Sequence, residues 1–174
     1  KISRNNLAAS VYMLSQGVPF FQAGEEMLRQ KINPDGTPEH NSYKSPDSVN
    51  SLKWSNLSEP EYKKVFEYYK GLIRFRKAHG ALRLESAGEV YSHVSVAETG
   101  AEDVFAFHIW GGAKDETAEA IFVAFNPTKE EKNINLPVGK WKLCINGENA
   151  GTEVLSEEEK TFVIPPLCAV AMIK

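Results

Sequence analysis

The chain has 174 residues, of which 42% are hydrophobic and 25% charged, a makeup that fits a folded globular protein and excludes a disordered tract. The formal net charge is −3 and the cations form no stripe, so no electrostatic footprint favours nucleic acid as a partner. No apolar run approaches the ~20 residues of a membrane-spanning helix, so no membrane partner is expected; no signal segment is visible and localisation is left open.

Residues 4–17, RNNLAASVYMLSQG, read as a helix. Leu7, Val11 and Leu14 hold a helical spacing, Asn5 or Asn6 can cap the start, and Gly17 can end it in a left-handed conformation. VPFF, residues 18–21, is too short for a helix and suits a fully buried strand. Residues 25–57 are long and polar. Asn33-Pro34-Asp35-Gly36, Thr37-Pro38 and Ser45-Pro46-Asp47 are turn signals, while Tyr43, Val49, Leu52 and Trp54 predict an ordered loop with a short helical turn near DSVNSL. Loops of this length in compact proteins are functional or disordered.

Residues 58–80, SEPEYKKVFEYYKGLIRFRKAHG, form the clearest helix. Ser58 and Glu61 suit a capping box, Pro60 the first turn, and Gly80 the stop. Tyr62, Val65, Phe66, Tyr69, Leu72, Ile73 and Arg76 share one side. The pattern then changes. ALRLE, VYSHVSVAE, DVFAFHIWG, AIFVAFNP, KNINLP, KWKLCING and TFVIPPLCAVAMIK read as short strands punctuated by Gly, Asn and Pro, which predicts an antiparallel sandwich. Cys144 and Cys168 sit in apolar runs and read as buried free thiols. His40, His79, His93 and His108 show no metal spacing.

Helix, buried strand, long loop and helix make one turn of a β/α array, which cannot bury its own sheet. The expectation is therefore a chain that begins partway through something larger. Its domains divide into residues 1–80, with an exposed apolar face when alone, and residues 81–174, all β.

The run SQGVPFFQAGEEMLRQK followed by NSYKSPDSVNSLKW resembles the end of the catalytic barrel in type I pullulanases, debranching enzymes of the α-amylase superfamily. G-(V/I)-P-x-x-x-x-G-E-E is similar to the eighth barrel strand and its loop; NSYKSPDSVN is similar to the next stretch of that loop, and LIRFRKAH to the last barrel helix. The resemblance implies that residues 1–80 end a (β/α)8 TIM barrel and that residues 81–174 are the family's C-terminal β-sandwich domain. It implies a retaining two-carboxylate glycosidase acting on α-1,6 branch linkages in pullulan, limit dextrin and glycogen. No H-D pair of the kind that carries the stabilising aspartate occurs here, so no catalytic residue is assigned and the chain alone is expected to be inactive. The implied partners are the branched α-glucan and the rest of the barrel. No cofactor or metal is assigned, although calcium is possible in the parent enzyme.

Barrel enzymes of this kind build their sites on the loops after the strands. The resemblance implies that Asp47 reaches a glucose hydroxyl; a turn-forming role after Pro46 is equally open. Some relatives carry Arg four positions later, where this chain has Ser51. Asn50 and Tyr43 join Asp47 as substrate-binding candidates, with loop-holding open for Asn50 and packing for Tyr43 and Trp54. Glu25, Glu26 and Arg29 are read as braces of the site. The alternative is a non-catalytic carbohydrate-binding or structural β module, for which Trp110 and Trp141 are the candidate sugar platforms and core or edge packing the bland reading.

Overall fold

The structure, a computed structural model, describes residues 1–113 and 115–174. Its helices are α1 (Ile2–Leu14), α2 (Asp47–Asn50), α3 (Pro60–Ala78) and α4 (Ala87–His93). Its strands are β1 (Val94–Val96), β2 (Phe105–Trp110), β3 (Ala120–Asn126), β4 (Lys132–Ile145), β5 (Ser156–Ile164) and β6 (Cys168–Ile173). The chain divides into two compact units, Lys1–Phe20 with Glu67–Lys174, and Phe21–Phe66.

In the larger unit the strands form one antiparallel sheet in the order β1-β2-β3-β6-β4-β5. Alternation along β3 and β6 sorts their side chains. Phe122 and Ala124 pair with Met172 and Val170 on one face, and these join Ala106, Ile134, Trp141, Leu143 and Ile164 in a single apolar core. The pairing of β4 with β5 shifts register between Asn135 and Lys140, where Gly139 has φ +126°, a conformation that favours glycine. Beyond that irregularity the first half of β4 reaches the segment after β1, and Asn135 N–H donates to Thr99 C=O at 2.7 Å. The segment after β1 thus reaches β4, next to last in the strand order, and the sheet curls over its own inner face. Trp141 is 1% exposed there, 5.9 Å from Phe122 between ring centroids, with its indole N–H satisfied by Pro137 C=O at 2.7 Å.

Helix α1 packs on β6 and β3, burying Ala9, Met13 and Leu14. Its polar residues are matched to the second half of α3. Ser10 Oγ lies 2.8 Å from the Tyr68 hydroxyl, and Asn5 Nδ2 donates to the Tyr69 hydroxyl at 3.1 Å. The guanidinium of Arg76 closes the end of α1 by donating to the carbonyls of Met13, Ser15 and Gly17, which satisfies orphan acceptors at the negative end of the helix. Gly71 is required by contact, because a Cβ there would lie 2.0 Å from Ala150 O. Glu116, on the β2–β3 connection, is buried against the end of α3. Its carboxylate lies 3.0 Å from His79 Nδ1 and accepts the N–H groups of Ala81 and Ala118.

Several local expectations are corrected. Asn5 and Asn6 are inside α1 rather than caps. VPFF forms no strand, and Val18 is 95% and Phe20 91% exposed, because a strand needs a neighbour to pair with and the described sheet offers none to these residues. ALRLE is a 3₁₀ turn, Gly80–Arg83, since the Gln16 amide takes up Ala81 C=O and Leu84 N–H that a ladder would otherwise use. VYSHVSVAE begins as α4. Its capping box, Ser86 with Glu89, does what was expected of Ser58 and Glu61, whereas Ser58 Oγ bonds Ser55 C=O. KNINLP and KWKLCING are halves of β4, and the final run splits between β5 and β6. On α3, Tyr68 and Phe75 are buried while Ile73 is 39% exposed, so the core face is rotated from the predicted stripe.

Candidate functional site

The predicted site residues all fall in the smaller unit, residues 21–66, which carries little regular structure and is ordered by hydrogen bonds. It opens with a tight turn. Gly24 has φ +92°, and a Cβ there would lie 2.6 Å from Arg29 Cδ and 2.8 Å from Leu52 Cδ2. Glu26 Oε2 accepts Gly24 N–H at 2.8 Å, Glu25 Oε2 accepts Gln22 N–H at 3.4 Å, and residues 25–27 form a 3₁₀ turn. The guanidinium of Arg29 donates to Ala23 C=O at 3.0 Å and to Asn50 C=O. Arg29 therefore ties the start of the loop to α2 through carbonyls.

Residues 31–39 double back. Asn33 N–H donates to Thr37 C=O and Glu39 N–H to Lys31 C=O, both at 2.9 Å, around Gly36 at φ +85°. Asp35 Oδ1 accepts both the N–H and the hydroxyl of Thr37, and those bonds hold its carboxyl below the usual value. Glu39 then organises the next turn by accepting Asn41 N–H at 2.8 Å and Ser45 Oγ–H at 3.2 Å. Lys31 Nζ donates to Ser42 Oγ at 2.6 Å.

Asn50 Nδ2 donates to the carbonyls of Ser42 and Ser45, at 2.7 and 2.9 Å. Both amide hydrogens are therefore spent on closing the segment between the 3₁₀ turn at 42–44 and α2. Asp47 is the first residue of α2 and is exposed; its C=O accepts Ser51 N–H at 2.8 Å. Tyr43 is 88% and Trp54 59% exposed. The structure thus brings Asp47, Asn50 and Tyr43 onto one short segment and places Glu25, Glu26 and Arg29 at its root. Lys31 and Glu39 hold the same segment, and of the two Glu39 carried no functional reading in the sequence. The one signal for Glu39 was its place just before an Asn-Ser turn.

In the β module Trp141 is core, and Trp110 is a half-exposed residue at the end of β2 with its ring 4.5 Å from that of His108. His108 is shifted downward by burial. Both cysteines are buried free thiols, and no group of three or more metal-ligating side chains occurs among the described residues.

These elements define a class: an antiparallel β domain with packed helices and a long, internally braced polar loop. Residues 90–149 match the family model described as "Pullulanase, all-beta domain". A pullulanase of Bacillus subtilis (strain 168) is 34% identical over 137 residues, covering 79% of this chain and 18% of its own length. An isoamylase of Flavobacterium sp. is 32% identical over 157 residues, covering 79% of this chain and 19% of its own. The solved pullulanase from Bacillus acidopullulyticus superposes with a TM-score of 0.90 at 33% identity, over 99% of this chain and 20% of that one. One from Anoxybacillus sp. LM18-11, complexed with maltotetraose, gives 0.81 at 29% identity, over 99% of this chain and 23% of that one. The chain belongs with the pullulanases, as the resemblance in its loop implies, and it spans about a fifth of the length of the curated relatives it matches.

Proposed function

We propose that the chain is the C-terminal portion of a pullulanase-type glycoside hydrolase that cleaves α-1,6 branch linkages in pullulan and related branched α-glucans. In this reading residues 1–80 complete a (β/α)8 barrel, with residues 18–21 as its last strand and the loop that follows at the mouth of the cleft. Residues 81–174 are the accompanying β domain. The exposed Val18 and Phe20 are what a barrel strand leaves bare without its neighbours. Cleavage is retaining, by two carboxylates ~5 Å apart that other parts of the enzyme supply, so this chain alone is inactive.

One observation carries the reading. Asp47 offers an exposed carboxylate on a segment that is held by other groups, namely Asn50, Arg29 and Glu39. A carboxylate of that kind accepts two neighbouring sugar hydroxyls in charge-assisted bonds. Tyr43 presents a ring to a pyranose face. Asn50 acts mainly by fixing the loop, and Glu25, Glu26 and Arg29 brace its root. An isoamylase-type preference is the second reading, favoured by the Flavobacterium relative.

The test uses the native protein that carries this chain, assayed on pullulan and on a branched glucan lacking its regular α-1,6 repeats. Cleavage of pullulan supports the first reading, and cleavage of only the second substrate supports the isoamylase type. Asp47→Ala is expected to lower kcat/KM on pullulan about ten- to a hundredfold, the loss of one or two charge-assisted bonds. Its unfolding midpoint should stay unchanged. An unaltered kcat/KM removes Asp47 from the substrate.

A further inference from the structure

The smaller unit contains a pocket of about 240 Å³ to which the glucan reading assigns no role. It lies below the roughly 300–1,000 Å³ typical of drug-sized ligands, so it suits a small molecule. Two of its walls are cationic, Arg29 and Lys53, and its neutral polar groups include Gln30, Ser51, Asn56 and the side chain of Tyr62. Met27 and Ile32 supply an apolar floor. No carboxylate occurs among its described lining residues.

Charge is the first argument. The chain as a whole is acidic, yet this concavity gathers two cations and no anion, which produces a locally positive site focused by its walls. Arg29 supplies a second, independent one. Each of its terminal nitrogens donates one hydrogen bond, to the carbonyls of Ala23 and Asn50, which uses one of the two hydrogens on each, and its Nε is buried without a hydrogen-bond partner. A buried donor left unpaired is costly, so Arg29 carries donor capacity that the loop it braces does not use. The neutral donors around it complete a set suited to an oxyanion rather than to a compact halide.

We infer that this pocket binds a phosphate group, either free or carried on a small sugar. Lys53 acts as the mobile point charge and Arg29 as the fixed one. Lys53 is exposed, so it can be changed without disturbing the loop, whereas Arg29 also holds the loop together.

The experiment is an amide NMR titration of the full 174-residue chain at constant ionic strength, with sodium chloride, inorganic phosphate, glucose and glucose 6-phosphate as separate probes. Saturable shifts confined to the amides near Arg29, Ser51 and Asn56 are expected with both phosphate-bearing probes and not with chloride or glucose. Equal affinity for the two points to free phosphate as the source; tighter binding of glucose 6-phosphate points to the sugar-borne group. Lys53→Gln should weaken either by about tenfold, and Lys53→Arg should restore it. Three results overturn the proposal: shifts that never saturate, equal binding of neutral glucose, or an affinity that Lys53→Gln leaves unchanged.

Discussion

The two compact units are ordered by different forces. The sheet-bearing unit encloses an apolar core in which Phe122, Ile134, Trp141, Val170 and Met172 are almost fully shielded, and its order follows from area removed from water. In residues 21–66 the described buried hydrophobic side chains are Met27, Val49 and Val65, and the segment is otherwise held by hydrogen bonds, many of them from side chains to backbone. A segment held in that way keeps its polar groups near solvent, where a ligand can meet them. A core held by area cannot present any.

The sharpest way to break the contrast is to remove the centre of the core. Trp141→Ala deletes the largest fully buried side chain and should destabilise the sheet-bearing unit by about 3–5 kcal/mol, read as the shift in its urea midpoint. A loss under about 1 kcal/mol would mean that the site collapses freely and that Trp141 is not the anchor. The same residue disposes of a sugar-platform role for its ring, which is covered by Phe122 and the curled strand.

A smaller effect distinguishes the core by pH. Burial pushes the Cys168 thiol up from about 9 to about 11, and burial raises Cys144 and Tyr68 as well. The folded state therefore prefers the neutral forms. For Cys168 that preference is fully present below its unfolded pKa and is lost as pH rises from about 9 through about 11, at up to ~1.4 kcal/mol per pH unit. Stability measured by urea from pH 8 to 11 should fall, and Cys168→Ala should flatten part of that slope. A slope that Cys168→Ala leaves untouched would assign the alkaline loss to other groups. The loop segment around Asp47 contains no thiol; both cysteines lie in the sheet-bearing unit.

The same division explains what could be read from sequence. The clear periodicities of α1 and α3 located those helices, and the apolar runs located β2, β3 and β6, because burial against a single core writes a repeating pattern. It failed where backbone groups are satisfied by side chains. ALRLE looks like a strand until Gln16 is seen to take its carbonyl and amide. SAGE at 86–89 is a capping box hidden by the Val and Tyr that follow. In the loop, NSYKSPDSVN was legible as turns and as a family motif. That Asn50 closes the segment with both amide hydrogens was not, since its partners are carbonyls, which every residue has.

Asn50→Ala tests the loop's side of the comparison. It removes two hydrogen bonds to the Ser42 and Ser45 carbonyls, at about 1–2 kcal/mol of local stability. Faster hydrogen exchange or proteolysis is expected around residues 41–51, with the midpoint of the sheet-bearing unit unmoved. If the midpoint shifts as far as it does for Trp141→Ala, the two units are not energetically separate and the contrast fails.

The smallest effect belongs to Asp35, which is exposed yet held below the ordinary carboxyl value by the Thr37 hydroxyl first and the Thr37 N–H second. A carboxyl lowered in the folded state adds stability above its unfolded pKa and loses it as pH falls through its folded one. For an exposed turn that means local opening of residues 33–37 in acid. Thr37→Ala removes the hydroxyl and keeps the N–H. The Asp35 side-chain resonance should therefore titrate at a higher pH than in the parent chain, part of the way back towards 3.8, while global unfolding stays where it was. An Asp35 midpoint that does not move would show that the backbone N–H alone fixes the turn. The polar loop would then be held by its main chain at this point, more like the sheet than the comparison allows.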